Sequence, residues 1–137
     1  MKQKNINFGE KFTIMNKRLT IECIKIHEDI NFTEELEGES TIGYIDDNDR
    51  HIKVLYLEDN LGKYLSLVYA IEKKENYEEV MNRLSRWIIN GRYELLGNQI
   101  ILCSILPILD ENLLKKQIIH AMSEIWDMNN IARNTPE

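Results

Sequence analysis

The sequence predicts an α+β domain in which helices pack on an antiparallel sheet of about five strands, in the order α-β-β-β-α-β-β-α. Between residues 41 and 71, runs rich in Ile, Val, Leu and Tyr alternate with short polar turns, as in neighbouring antiparallel strands. Residues 77–88 and 114–128 instead repeat apolar side chains at helical spacing. The change along the chain from strand-like runs to helical spacing indicates the α+β class.

The first predicted element is a helix between Lys11 and Ile30. Apolar residues recur there at helical spacing: Met15, Leu19, Cys23, Ile26 and Ile30. Leu19, Ile21 and Cys23 also alternate as a strand would. A run of roughly twenty residues without Gly or Pro is long for a strand, which favours the helix.

Residues 32–39 are acidic and break at Gly38, which indicates a loop or a short edge strand. Three strands follow, at Thr41–Asp46, His51–Glu58 and Lys63–Ile71, with turn-forming clusters at 46–49 and 58–62. Alternate residues of the last two strands are apolar, so these strands have a side that faces the core.

A second helix begins at Asn76, which is placed to cap it together with Glu79. Its apolar stripe consists of Tyr77, Val80, Met81, Leu84, Trp87 and Ile88. Asn90-Gly91 is the expected end, because Gly adopts the left-handed conformation after a helix at no steric cost.

Arg92–Leu96 and Gln99–Leu106 are predicted to pair across the two-residue turn Gly97-Asn98. The second strand is apolar on both faces, which is typical of a central strand or of one covered on both sides. Pro107 ends it.

Asp110 is predicted to cap the last helix, which runs from Glu111 to Ala132. One apolar seam consists of Leu114, Ile118, Ala121, Ile125 and Met128. A second seam beside it consists of Ile119, Met122 and Trp126. A helix that packs on a sheet usually buries one apolar stripe. The second seam therefore needs an additional surface to shield it from water.

Composition indicates a single domain over residues 11–132, with a disordered lead-in at 1–10 and a disordered tail at 133–137. The net charge of −6 disfavours nucleic acid and anionic membranes as partners. We find no segment able to span a bilayer and no signal peptide, so the default location is the cytoplasm. Cys23 and Cys103 lie in apolar contexts and fit buried free thiols in a reducing compartment.

The sequence contains no GxSxG, phosphate-binding loop or HExxH motif, and we predict that the protein is not an enzyme and uses no cofactor. His120 and Glu124 stand at i, i+4, but a metal site needs three or four ligands. The acidic turn at 46–49 lacks the Gly and the terminal Glu of a calcium loop. We therefore predict no metal site.

The stretch from Met81 to Asp127 resembles the YbjN family, which shares its fold with the type III secretion chaperones. The resemblance rests on the helix end at 82–90, the strand and turn at 91–98, the apolar strand ending in Leu106-Pro107 and the acidic-capped helix from Asp110. It extends over about Thr41 to Met128. It implies a homodimeric, noncatalytic protein of chaperone-like or stress-regulatory type that holds a partner segment along its sheet and helices.

The predicted function is therefore protein binding, by burial of an apolar partner segment or by addition of a strand at a sheet edge. The candidate partner-binding residues are Ile119, Met122, Trp126, Ile101 and Cys103. The alternative is a regulatory domain that senses a small molecule in a pocket between sheet and helices. An enzyme would need three convergent polar side chains in a cleft.

Overall fold

The structure, a computed structural model, describes residues 8–36 and 38–137. Its elements are α1 (Phe8–Lys25), β1 (Phe32–Glu34), β2 (Thr41–Asp47), β3 (Arg50–Asp59), β4 (Gly62–Glu72), α2 (Tyr77–Trp87), β5 (Arg92–Leu96), β6 (Gln99–Pro107) and α3 (Leu114–Arg133). A 3-10 turn, Glu111–Leu113, leads into α3. None of the described helices combines the length and apolar character needed to cross a bilayer.

Six described strands form one antiparallel sheet in the order β1-β2-β3-β4-β6-β5. The predicted α+β class is confirmed, and the three strands predicted between residues 41 and 71 correspond to β2, β3 and β4. The additional strand is β1, which pairs with β2 from Phe32 opposite Ile45. Gly97, at φ 59°, opens the predicted two-residue turn between β5 and β6.

The helices enclose the core against one face of the sheet. Side chains alternate along each strand, so Val54 of β3 and its neighbour Leu67 of β4 both point to the helices. The predicted main seam of α3 is entirely buried: Leu114, Ile118, Ala121, Ile125 and Met128. Burial of each Leu, Ile and Met side chain of this seam contributes about 1.5–3 kcal/mol. Within residues 8–36 and 38–137, no helix packs on the opposite face of the sheet.

Helix α1 is confirmed, but it buries a different face from the predicted one. Met15 and Leu19 are exposed, and the buried residues are Asn16, Thr20, Ile21 and Ile24. The Asn16 Nδ2 atom donates a hydrogen bond to Glu58 Oε1 at 3.2 Å, and the Tyr56 hydroxyl donates to the other carboxylate oxygen at 3.0 Å. The Glu58 carboxylate thus provides the hydrogen-bond acceptor for Asn16, the polar residue of α1 that faces the sheet.

Helix α2 begins without the predicted cap. The Asn76 side chain makes no capping hydrogen bond and instead donates to the carbonyl oxygens of Thr135 and Pro136, at 3.1 and 3.3 Å. Glu79, predicted to complete the cap, pairs with Arg83 at 3.2 Å. The Asn76 amide thus ties the start of α2 to the C-terminal segment.

The end of α2 also differs from the prediction. The helix stops at Trp87, and Ile88 is extended, with φ −103° and ψ 122°. Gly91 is not left-handed; a Cβ built there would lie 2.8 Å from Met128 Sδ. Gly91 therefore packs closely against the end of the Met128 side chain, which would have to move to admit a larger residue. Trp87, predicted to lie on the buried stripe, is 69% exposed.

Residues near both ends of the described chain belong to helices or contact other parts of the domain. Asp110 caps the 3-10 turn as expected, since its side chain accepts from the Asn112 backbone N–H at 2.9 Å. Within the predicted disordered tail 133–137, Thr135 is buried and Glu137 lies 3.6 Å from Lys74. Helix α1 begins at Phe8, inside the predicted lead-in, whereas residues 1–7 lie outside the described residues.

Candidate protein-interaction surface

The five residues predicted to bind a partner lie in two opposite layers of the domain. Ile119, Met122 and Trp126 belong to α3 in the helix layer. Ile101 and Cys103 alternate with the buried Leu102 and so point away from the helices. The structure therefore does not bring the five together into one surface.

The α3 group is largely engaged within the chain. Met122 packs against the core. Trp126 Nε1 donates a hydrogen bond to Asp47 Oδ2 at 2.6 Å, and the Arg50 guanidinium lies over the Trp126 ring. Ile119 alone of the three is classed as exposed, at 44%. Residues on either side of the β2–β3 turn thus contact Trp126 of the second seam.

The two β6 residues belong to an apolar strip on the open face of the sheet. Side chains from three adjacent strands form this open-face strip: Leu55, Leu57, Val68, Ile101, Cys103 and Ile105. The register connects them, since Val68 lies opposite Cys103, and Leu55 and Ile105 both lie opposite Ser66. The strip is continuous across the middle of the sheet.

The open-face strip explains why β6 is apolar on both faces. One side of β6 contributes Ile100 and Leu102 to the core. The other side lines the strip, where Ile105 remains 37% exposed. β6 is a central strand, between β4 and β5. Among the described residues, helices pack on only one of its two apolar faces.

Charged groups flank the strip at both ends. Lys53 lies opposite Val68 in the register, and Arg92 lies opposite Cys103 from the other side. Glu94 lies opposite Ile101. An apolar centre with a charged rim is the arrangement found in protein–protein interfaces.

The two edges of the sheet differ in what they offer. β1 has only three residues, and its Glu34 is engaged with α1. β5 has five residues, and Leu95 and Leu96 are both exposed. An exposed apolar edge strand can pair with an added strand, so β5 is the better edge for the strand addition predicted from the sequence.

Helix α1 carries a further apolar surface, which includes Met15 and Leu19 from the apolar repeat that predicted the helix. Four exposed side chains with alternating spacings of four and three residues form this outer seam: Phe8, Phe12, Met15 and Leu19. The sequence did not separate the two faces, because the buried face contains the polar residues Asn16 and Thr20, whose side chains bond to Glu58 and to the helix backbone.

One cluster of polar side chains superficially resembles a catalytic arrangement. Ser104 Oγ donates to Glu124 Oε2 at 3.3 Å, and Glu124 Oε1 lies 3.0 Å from His120 Nε2. The carboxylate stands between the hydroxyl and the imidazole, so the imidazole is not placed to take the hydroxyl proton. Ser104 is also buried. This cluster lacks the order of groups that nucleophilic catalysis requires.

The described residues contain no group of three or more His, Cys, Asp or Glu side chains able to hold a metal ion. In the acidic turn, Asp46 Oδ1 is engaged with His51 Nδ1 at 2.7 Å. Both cysteines are free thiols. Burial, with the nearby Glu111 carboxylate, raises the pKa of the Cys23 thiol, which disfavours the reactive thiolate.

Core side chains pack between the sheet and the helices, among them Ile24, Val54 and Ile118, each fully buried. Clefts that a small molecule can enter lie at the surface. One of about 710 Å³ runs beside α1, between Ile14 and Leu36.

Comparison of the chain with known protein families, with characterised proteins and with solved structures found no match in any of the three.

Proposed function

We propose that this domain is a noncatalytic protein-binding module that holds an apolar segment of a partner protein on the open-face strip. The observation that carries the proposal is the strip itself, a continuous apolar surface on the sheet face opposite the helices. Exposed apolar patches of this kind mark interaction sites in soluble proteins.

Burial of apolar surface would supply the binding free energy, at about 25 cal/mol for each Å² removed from water. The sheet is a rigid platform, so little conformational entropy is lost on its side of the contact. The polar groups of Lys53, Arg92 and Glu94 at the rim would orient the partner. The net charge of −6 favours approach of basic partners over longer distances.

The test compares two equivalent substitutions, Ile105→Glu on the strip and Leu61→Glu in the β3–β4 turn. Leu61 is 87% exposed and lies off the strip, so it matches the change in charge and volume without touching the proposed site. Circular dichroism establishes first that both variants are folded.

Purified wild-type and variant proteins are then used to capture partners from extracts of the producing cell, with quantification by mass spectrometry. We expect wild type and L61E to retain the same proteins and I105E to lose them. Retention of the same proteins by I105E, or no specific capture by any of the three, would contradict the proposal.

A further inference from the structure

Two polar side chains between α3 and the sheet are almost fully buried without a side-chain hydrogen bond to any described residue. Arg50 is 6% exposed and Asn129 is 5% exposed. The Arg50 Nη1 atom is completely enclosed and has no acceptor among residues 8–36 and 38–137. Because a buried charged donor without an acceptor is costly, the pair points to a missing acceptor.

Residues from two layers converge on Arg50. On α3, Trp126, Asn129 and Arg133 share one face, at spacings of three and four residues. The Arg50 guanidinium lies over the Trp126 ring, whose N–H is fixed by Asp47. An arginine stacked on an aromatic ring keeps its N–H edge available for a planar oxyanion.

The charges around Arg50 are incompletely balanced. Burial lowers the pKa of Arg50, Asp47 and Tyr69 oppose this shift, and Arg133 adds to it. Arg133 lies on the face of α3 that carries Trp126, the residue over which the Arg50 guanidinium is placed. Arg133 forms no ion pair, and the Tyr69 hydroxyl no hydrogen bond, within the described part of the chain. Two cations and two neutral donors thus share one region.

Two of these residues, Asn129 and Arg133, also line a surface cleft of about 330 Å³ on the face of α3 that carries Trp126. Three other charged residues also line the cleft. Lys74 and Glu137 are paired with each other at 3.6 Å, so the negative charges that oppose an entering anion are Glu72 in the cleft and Asp47, which lies opposite Arg50 in the sheet.

We propose that Arg50, Tyr69, Trp126, Asn129 and Arg133 form a binding site for a small oxyanion, the phosphate or carboxylate group of a ligand. Arg50 and Arg133 supply the positive charge, Asn129 and Tyr69 supply neutral donors, and Trp126 holds the Arg50 plane. The site lies between α3 and the helix-covered face of the sheet and shares no residue with the open-face strip, so its failure would leave the protein-binding proposal standing.

Trp126 provides the readout, because the chain has only two tryptophans and Trp87 is exposed. In the W87F protein, Trp126 fluorescence is followed during titration with inorganic phosphate and, separately, with citrate, at ionic strength held constant with sodium chloride. We expect a saturable change. A response to phosphate alone assigns a phosphate group, a response to citrate alone assigns a carboxylate, and a response to both assigns their shared chemistry.

Three variants in the W87F background decide whether the response arises at the proposed site. R133Q removes an exposed guanidinium and should weaken binding about tenfold, the effect of losing one charge-assisted hydrogen bond. E72Q should strengthen binding, an effect that loss of structure would not produce. R86Q removes a guanidinium from the exposed face of α2 and should change nothing. No saturable response to either anion, or equal affinities for R133Q and R86Q, would overturn the proposal.

Discussion

Glu34 shows how one side chain joins two elements. It accepts from Arg18 at 2.7 Å and from Lys25 at 2.9 Å, so both cations of α1 converge on one carboxylate of β1. The hydrogen bonds from Arg18, and then from Lys25, lower the pKa of Glu34 from its ordinary value of 4.5 to about 2. The folded state therefore binds this proton less readily than the unfolded chain does.

We predict from this that Glu34 stabilises the fold above pH 4.5 and that the stabilisation is lost as the pH falls toward 2. The free energy of unfolding of E34Q should lie below that of wild type at pH 7 and converge with it near pH 2. Urea unfolding at a series of pH values measures the difference. E35Q removes a neighbouring exposed carboxylate and serves as the control. A difference between wild type and E34Q that does not vary with pH would contradict the prediction.

Individual residue types were easier to identify from the sequence than their partners. The sequence predicted that Trp126 belongs to a second apolar seam, beside the buried seam of α3. Its acceptor, Asp47, lies 79 positions earlier in the chain, and no local pattern connects the two. The prediction that Gly91 is left-handed was wrong. Its close neighbour is Met128, which belongs to a helix distant in sequence.

Periodicity predicted the longer elements and failed for the shortest. β2, β3, β4 and α3 each contain enough residues to show a period, and their positions were predicted closely. β1 has three residues, too few to establish an alternation. The end of α2 depends on how the chain enters β5, which the local sequence Asn90-Gly91 does not determine.

Helix α1 illustrates why a period alone does not identify the buried face. Both faces carry apolar residues, and the face that packs is the one whose polar member, Asn16, finds Glu58 on β3. The buried face is therefore selected by a tertiary contact.

Two equivalent truncations on α1 test this assignment. Ile24→Ala removes a fully buried side chain and should lower the free energy of unfolding by about 2–5 kcal/mol. Leu19→Ala, on the outer seam, should change it by about 0.5 kcal/mol or less. Urea unfolding followed by circular dichroism measures both. A larger loss for L19A than for I24A would mean that the outer seam is the packed face.

At the scale of the whole molecule, the sheet separates two surfaces that the sequence analysis treated as one. The apolar residues of β6 and the second seam of α3 were both recognised as excess apolar surface. Only the fold shows that Trp126 of the α3 seam contacts residues beside the β2–β3 turn and that Met122 packs against the core, whereas the β6 residues face the open side. Alternation assigns residues to two faces of a strand but does not indicate which face receives the helices.

The predicted homodimer must leave the open-face strip free if the strip is to hold a partner segment. A second exposed apolar group, around the end of α2 and the β5 edge, offers a separate contact for a second copy: Trp87, Ile89, Leu95 and Leu96. We therefore predict that multi-angle light scattering gives twice the 16.2 kDa mass of one chain for wild type and for I105E, and a monomer for W87E. A monomeric wild-type protein at high concentration would refute the dimer. Dissociation of I105E alone would identify the strip as the contact between copies, and so remove it as the site for a partner segment.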